Sequence, residues 1–250
     1  MNQSIIYALD FDGVICDSAV ETGITGWKAA TQLWDDFPTP LPSQHLIEQF
    51  RQVRPILETG YEAILLVRLL HDGETVTAIL DGFKDKKNQL VKDNNLNITA
   101  LKEVFGTTRD QWINDDLNDW IEMNPMFLGI KEKLQNLRQK GIWYIITTKQ
   151  EHFVKKILAA HQIQLADDRI FGLDKQLSKE AILTDLLMQH HSATIHFVED
   201  RLPTLVNVIN NKQLSSVELF FALWGYNTRQ DKIDAEGYAV NSINLDGFLI

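Results

Sequence analysis

The sequence is most informative at first through what it lacks. It has one cysteine among 250 residues, so no disulfide can form within the chain, and this composition suits a reducing compartment. It has no long basic block and a formal net charge of −10, which argues against a surface for nucleic acid backbones. No apolar stretch approaches the ~20 residues of a membrane span, and the chain starts without the basic and apolar segments of an export signal. These absences predict a cytoplasmic protein that has neither nucleic acid nor membrane as a partner.

The overall composition is that of an ordinary globular protein, with 44% hydrophobic and 23% charged residues. A chain of this length can bury roughly 70% or more of its unfolded surface. We therefore expect one compact domain or two small ones. The oligomeric state stays open at this point.

Strand-like apolar runs alternate with segments of helical period from residue 124 onward. A further strand is predicted near the start of the chain. This alternation predicts an α/β fold, a doubly wound parallel sheet with helices on both faces. The predicted strands are 5–9, 143–147, 170–173, 194–198 and 217–223, and the predicted helices are 129–140, 152–161, 178–190 and 203–211.

The residues between the first strand and the rest of the sheet show a different sequence pattern. It carries helical spacing without a convincing buried strand, and it has a loop marked by Pro38, Pro40 and Pro42. The pattern predicts an all-helical domain at 17–123, inserted into an α/β domain made of 1–16 and 124–250. The predicted helices here are 20–34, 43–58, 61–70 and 109–122, and Trp27, Trp34, Trp112 and Trp120 are expected to pack between them.

The first strand ends in acids where neutral turn residues are usual. Asp10 follows the strand directly and Asp12 lies two positions further, so in extended backbone both side chains can point the same way. Gly13 lets the chain turn sharply after them. Two close carboxylates repel each other unless a cation joins them, and hard oxygen ligands favour Mg²⁺. The alternative is a solvated turn, since Asp-Gly pairs are common in turns.

Two further predicted strands end in polar residues at the same edge of the sheet. The strand 194–198 is followed by Glu199 and Asp200, and the strand 143–147 ends with hydroxyls at Thr147 and Thr148, followed by Lys149. Ligands of open parallel sheets bind outside the carboxyl ends of the strands. The convergence of acids, hydroxyls and lysine predicts a site for an anionic group bound with a metal.

Four motifs in this order resemble those of the haloacid dehalogenase superfamily of phosphatases and phosphotransferases. The stretch DFDGVICDS, 10–18, is similar to the first motif, and Thr147 stands where the second motif has its hydroxyl residue. Lys179 in LSKEAIL and the acids of VED are similar to the third and fourth. The helical insert resembles the family's cap domain. The tail FFALWGYNTR looks like the closing strand of the group that includes phosphoglycolate phosphatase and β-phosphoglucomutase.

The resemblance implies roles for these residues in phosphoryl transfer. Asp10 would be the nucleophile that forms an aspartyl-phosphate, and Asp12 the general acid and later the base. Thr147, Thr148 and Lys179 would bind the phosphate.

The resemblance also implies a Mg²⁺ site. Asp10, Asp12 through its backbone carbonyl, Glu199 and Asp200 would hold the ion. Thr204 stands where many relatives carry a further acid, and Arg201 replaces a small residue. Lys149 is expected to be a peripheral charge and Lys175 a solvated one. Asp17 and Ser18 are expected to cap the first inserted helix or to lie in the hinge.

The leading hypothesis is a Mg²⁺-dependent phosphatase of a small phosphorylated metabolite. Arg54, Tyr61 and Arg68, in the helical insert, are candidate readers of the leaving group. A phosphomutase of sugar phosphates is the nearest enzymatic alternative, and a non-catalytic binding protein of the same fold is the other. The natural substrate is not predicted.

Overall fold

The α/β part of the chain is built on six parallel strands, in a computed structural model that describes residues 4–250 apart from the side chain of residue 140. The order across the sheet is β3-β2-β1-β4-β5-β6, so the winding reverses between β1 and β4. This order confirms the predicted doubly wound parallel sheet. The strands are β1 (Ser4–Leu9), β2 (Ile142–Ile146), β3 (Ile170–Phe171), β4 (Ala193–Glu199), β5 (Glu218–Ala222) and β6 (Asn241–Ile243).

Strand β1 occupies the middle of the sheet and pairs with β2 on one side and β4 on the other. Tyr7 lies beside Trp143 of β2 and His196 of β4 in this register. Ala8 and Leu9 are fully buried, as expected for a central parallel strand that is covered on both faces. The residue after Leu9 is therefore held at the centre of the carboxyl edge.

Helices cover both faces of the sheet. Leu186 and Leu205, on α9 and α10, belong to the same apolar cluster as Phe197 of β4. On the opposite face, the Phe248 ring of α12 lies 6.3 Å from the Tyr7 ring. The helices of this part are α7 (Ile130–Lys140), α8 (Glu151–Ala160), α9 (Lys179–Gln189), α10 (Leu202–Asn210), α11 (Arg229–Asp234) and α12 (Leu245–Leu249).

The predicted elements of this part are confirmed with shifts of one or two residues at their ends. The short elements β6, α11 and α12 were not predicted, because each has too few residues to show a hydrophobic period. Ser178 caps α9, since its hydroxyl accepts a hydrogen bond from the Ala181 N–H. Within residues 4–250, no helix combines the length and apolarity that crossing a membrane requires.

The chain divides into two compact units. One contains the residues up to Asp17 together with Pro125–Ile250, and the other is Ser18–Asn124. Every residue of 18–124 is described, and this unit contains six α-helices and no strand. They are α1 (Ala19–Ala30), α2 (Gln44–Val53), α3 (Glu62–His71), α4 (Val76–Asp93), α5 (Ile98–Asp115) and α6 (Leu117–Glu122).

The helical unit differs from the prediction in four places. Helix α1 ends at Ala30 instead of residue 34, and α2 ends at Val53 instead of residue 58. Helix α4 and the first half of α5 were missed, because α4 buries only Ile79 and Phe83 and so shows little apolar period. The predicted helix 109–122 is in fact two helices. Asp116 separates them in an extended conformation, and its carboxylate caps α6 by accepting a hydrogen bond from the Asp119 N–H.

The tryptophans of this unit lie mostly in its interior. Trp27, Trp112 and Trp120 are buried, as predicted. Trp34 is only partly buried at the edge of the apolar cluster, where its indole N–H donates to Asn94 Oδ1. The prediction of a core position is therefore wrong for Trp34, because the indole keeps one polar edge at the surface.

A buried ion pair lies inside the helical unit. Glu21 of α1 is fully buried, and its two carboxylate oxygens accept hydrogen bonds from Arg109 Nε and Nη2 of α5 at 2.7 and 2.8 Å. Thr25 Oγ1 and Trp120 Nε1 also donate to Glu21 Oε1. This bidentate arrangement compensates the burial of both charges and ties three helices of the unit together.

We predict that Arg109→Ala destabilises the helical unit by about 3–5 kcal/mol, because it leaves the Glu21 carboxylate buried without its cation. Urea unfolding followed by tryptophan fluorescence measures this, since four of the six tryptophans lie in the unit. The control is Lys86→Ala, which removes a more exposed ion pair with Glu74 and should change stability by less than about 1 kcal/mol. Equal effects of the two substitutions would contradict the interpretation.

Candidate active site

The segment after β1 turns back on itself immediately beyond the first two acids. The Asp10 N–H donates to the Val198 carbonyl of β4 at 2.9 Å, which continues the sheet by one residue. The Gly13 N–H then donates to the Cys16 carbonyl at 2.9 Å, with Gly13 at a φ of +93° that disfavours other residues. Both Asp10 and Asp12 are thereby kept at the carboxyl edge.

Three carboxyl groups meet at this edge. Asp10, Glu199 and Asp200 each place one carboxylate oxygen within 4.8 Å of the others, and all three residues are buried. Lys179, the first residue of α9, donates to Asp10 Oδ1 at 2.7 Å and to Glu199 Oε2 at 2.6 Å. The structure thus brings together four of the residues that the sequence analysis assigned to one site.

Burial dominates the electrostatics of the cluster. The pKa of Asp10 is raised to about 7, because burial and the nearby Glu199 charge raise it more than Lys179 lowers it. The pKa of Asp200 is raised well above its usual range, first by burial and then by Glu199 and Asp10. The two carboxylates outweigh burial for Lys179, so its pKa lies above the usual range. A further cation would relieve the excess of negative charge.

The oxygens of Glu199 and Asp200 are engaged differently. Glu199 Oε1 accepts hydrogen bonds from the backbone N–H groups of Asp200 and Arg201, while its other oxygen faces Lys179. Asp200 Oδ2 accepts from the Tyr226 N–H, whereas Asp200 Oδ1 is buried with no hydrogen-bond partner among residues 4–250. A buried oxygen of this kind fits a hard divalent cation such as Mg²⁺.

Two glycines leave room for the Asp200 carboxylate. A Cβ at Gly13 would lie 1.9 Å from Asp200 Oδ2, and a Cβ at Gly225 would lie 2.3 Å from Asp200 Cβ. Gly225 also approaches the Gly13 carbonyl, which lies 2.4 Å from the same hypothetical Cβ. The loops after β1 and β5 can therefore close around Asp200 only without side chains at these positions.

The loop after β2 contributes a hydroxyl and a second lysine. Thr147 is buried and its Oγ1 accepts from the Lys149 N–H at 3.1 Å, while Thr148 is exposed. The Lys149 side chain is only 3% exposed and donates to Asp12 Oδ1 at 3.0 Å. The expectation that Lys149 is a peripheral charge is wrong, because its side chain is buried and paired with the Asp12 carboxylate. Lys175, by contrast, is 43% exposed.

The three candidate readers lie in the helical unit in different settings. Arg54 begins the short 3₁₀ turn that follows α2. Tyr61 is half-buried, with Lys102 Nζ 5.7 Å from its ring. Arg68 is neutralised by Asp36 at 2.6 Å and Asp72 at 2.8 Å, an arrangement that gives it a structural role within the unit.

The loop after β5 is the part of the site that sequence reasoning missed. Trp224 Nε1 donates to the Val14 carbonyl at 3.1 Å, and Asn227 Nδ2 donates to the carbonyls of Asp200 and Ala222. The hydroxyl of Tyr226 donates to Asp17 Oδ1. The available signal was the sequence WGYN directly after a buried strand that neighbours β4. Ser18 precedes α1, but its side chain makes no capping hydrogen bond.

We predict that Gly225→Ala lowers the stability of the α/β unit by about 1–3 kcal/mol, because the added methyl group must displace Asp200 or the Gly13 backbone. Thermal unfolding monitored by circular dichroism measures this. Gly237→Ala is the control, since a Cβ there meets nothing within 4 Å and should change stability by less than about 0.5 kcal/mol. Unchanged stability of the Gly225 variant would show that the two loops tolerate a wider spacing.

The chain is similar to known hydrolases in fold and in sequence pattern, although no curated protein sequence matches it significantly. A predicted phosphatase from Clostridium acetobutylicum is 16% identical, with a TM-score of 0.58 over 100% of this chain and 97% of that one. A predicted phosphoglycolate phosphatase from Haemophilus somnus is 16% identical, with a TM-score of 0.59 and coverages of 100% and 96%. A haloacid dehalogenase-like family protein from Streptococcus pneumoniae is 16% identical, with a TM-score of 0.57 and coverages of 97% and 94%. These likenesses show a shared fold. The sequence model of haloacid dehalogenase-like hydrolases matches residues 6–201, and the chain therefore belongs to that family.

Proposed function

We propose that the protein is a Mg²⁺-dependent phosphatase that hydrolyses a small phosphate ester through an aspartyl-phosphate on Asp10. The observation that carries this proposal is the buried group of Asp10, Glu199 and Asp200 around Lys179. Fold relatives described as predicted phosphatases support the same reaction class.

The acidic group has the oxygens that a magnesium ion needs. Asp10, the Asp12 backbone carbonyl and the Oδ1 atom of Asp200 are the ligands we propose, since the last is buried without a hydrogen-bond partner. Glu199 already accepts from three donors, so we assign it chiefly to holding Lys179 and the loop backbone. When bound, Mg²⁺ supplies charge neutralisation for the phosphate that would otherwise repel the acids.

We assign Asp10 the role of nucleophile. Lys179 binds its Oδ1 atom, which orients the carboxylate and leaves the other oxygen to attack phosphorus. The attack forms an oxygen–phosphorus bond on Asp10 and breaks the bond from phosphorus to the ester oxygen. The Lys179 ammonium would also stabilise the negative oxygens of the transferring group.

Asp12 would handle the protons of both half-reactions. Its side chain is 19% exposed, so it can reach a leaving group and afterwards a water molecule. It would protonate the departing alkoxide and then remove a proton from the water that hydrolyses the aspartyl-phosphate. Thr147 would donate its hydroxyl proton to the phosphate, because its oxygen already accepts from the Lys149 N–H.

Asp10→Asn is expected to lower turnover by several powers of ten, because the amide lacks the nucleophilic oxygen anion. The measurement is phosphate release from a panel of phosphate esters, with Mg²⁺ or with a chelator. The unsubstituted protein should be active only with Mg²⁺. After acid quenching, its peptide that contains Asp10 should carry the mass of one phosphoryl group.

Asp168→Asn, which changes an exposed acid in the same unit, should have normal activity. Full activity of the Asp10 variant would place the chemistry elsewhere. Isomerised sugar phosphate without release of phosphate would indicate a phosphomutase, an alternative for which the missing acid at Thr204 is the sequence signal. No turnover on any ester would favour a binding protein of this fold.

Lys149→Met should lower kcat/KM for the best ester by about 100-fold, because it removes a buried cation next to the proposed general acid. The substitution keeps most of the side-chain volume, so the fold should persist. Lys175→Met removes a lysine that is 43% exposed, and should leave kcat/KM within about twofold. If both variants have the same kcat/KM, Lys149 does not support Asp12 in catalysis.

A further inference from the structure

Tyr226 contacts the acidic group and the end of the first chain segment at the same time. Its backbone N–H donates to Asp200 Oδ2, with an N···O distance of 2.5 Å. Its hydroxyl donates to Asp17 Oδ1, with an O···O distance of 2.8 Å. Asp17 is the last residue of the α/β unit before the chain enters the helical unit.

The backbone contact decides which oxygen of Asp200 remains for a cation. Because Oδ2 is bound by the Tyr226 N–H, the buried Oδ1 is the atom without a hydrogen-bond partner among residues 4–250. The close approach of Gly13 and Gly225 prevents the carboxylate from shifting sideways. The orientation of Asp200 therefore depends on where the Tyr226 amide is held.

The loop that carries the Tyr226 amide is held by two side chains, those of Tyr226 and Trp224. The phenol hydroxyl of Tyr226 donates a hydrogen bond to Asp17 Oδ1. The neighbouring Trp224 donates its indole N–H to the Val14 carbonyl. Both anchors lie in the segment that follows β1, so this loop is fixed to the same segment that carries Asp10 and Asp12.

We propose that Tyr226 is a positioning residue for the metal site, and that its hydrogen bond to Asp17 holds the loop amide that orients Asp200. This proposal rests on the Mg²⁺ dependence proposed above. It assigns a function to a side chain that does not itself contact the ion. In this proposal Asp17 anchors Tyr226. It thereby connects the proposed metal site to the residue at which the chain leaves the α/β unit.

The test is calorimetric titration of the full-length variants with Mg²⁺ alone, without any phosphate ester. Tyr226→Phe keeps the ring and the backbone amide and removes only the hydroxyl. We expect it to weaken Mg²⁺ binding about tenfold, which is the range of one hydrogen bond to a charged group. Asp17→Ala should weaken binding by a similar factor, and the double variant should be no weaker than the weaker single variant, because both remove the same contact.

Tyr144→Phe is the matched control, since it removes a phenol hydroxyl that contacts His190, the residue at the end of α9 opposite to Lys179. Its Mg²⁺ affinity should equal that of the unsubstituted protein. The proposal is overturned if Tyr226→Phe binds Mg²⁺ normally, or if Tyr144→Phe loses affinity equally. If Tyr226→Phe does not fold, Asp17→Ala decides the question in the same assay.

Absence of Mg²⁺ binding by the unsubstituted protein would overturn this proposal and the proposed metal dependence together. Normal binding by the Tyr226 variant would overturn this proposal alone.

Discussion

Burying acids next to one another is the constraint on which the rest of this structure depends. Asp10, Glu199 and Asp200 lie together out of water, with Lys179 as the cation that contacts two of them. Burial disfavours the charged form of each carboxyl group, and mutual repulsion adds to the cost. The surrounding backbone responds by donating N–H groups to Glu199 and Asp200. Asp200 Oδ1 is buried with no hydrogen-bond partner among residues 4–250, and a cation there would complete the balance of charge.

The sheet makes this arrangement possible because its buried strands provide stability and the ends of its strands carry the polar residues. Strand β1 is central and buried on both faces, so apolar packing holds the strand while its carboxyl end stays available for polar residues. The winding reverses between β1 and β4, which leaves a crevice between the loops that follow them. Asp10 and Asp200 follow these two neighbouring strands. The helical unit has its own apolar cluster and its own buried ion pair, so its stability does not draw on the acidic edge.

Lys149 and Lys179 show what the tertiary structure adds when two residues have similar settings in the sequence. Lys149 and Lys179 both stand at the edge where strands end, and each could have been solvated. In the structure Lys149 is buried and Lys179 is mostly buried, and each donates to a carboxylate of the first motif. Buried lysine needs an anionic partner to offset its desolvation. The positions of the two lysines therefore depend on the acids, and the burial of the acids depends on the charges of the lysines.

Local patterns in the sequence determined the parallel sheet, the helical insert and the acids at the strand ends, because hydrophobic period and turn residues act over a few neighbouring positions. The sequence also placed Lys179 through its resemblance to known motifs. Only the tertiary structure decided that Lys149 turns inward, that Tyr226 bonds both Asp17 and Asp200, and that α4 forms with few buried residues. The positions of Lys149 and Tyr226 depend on contacts between residues far apart in the chain. No short window of sequence contains both partners.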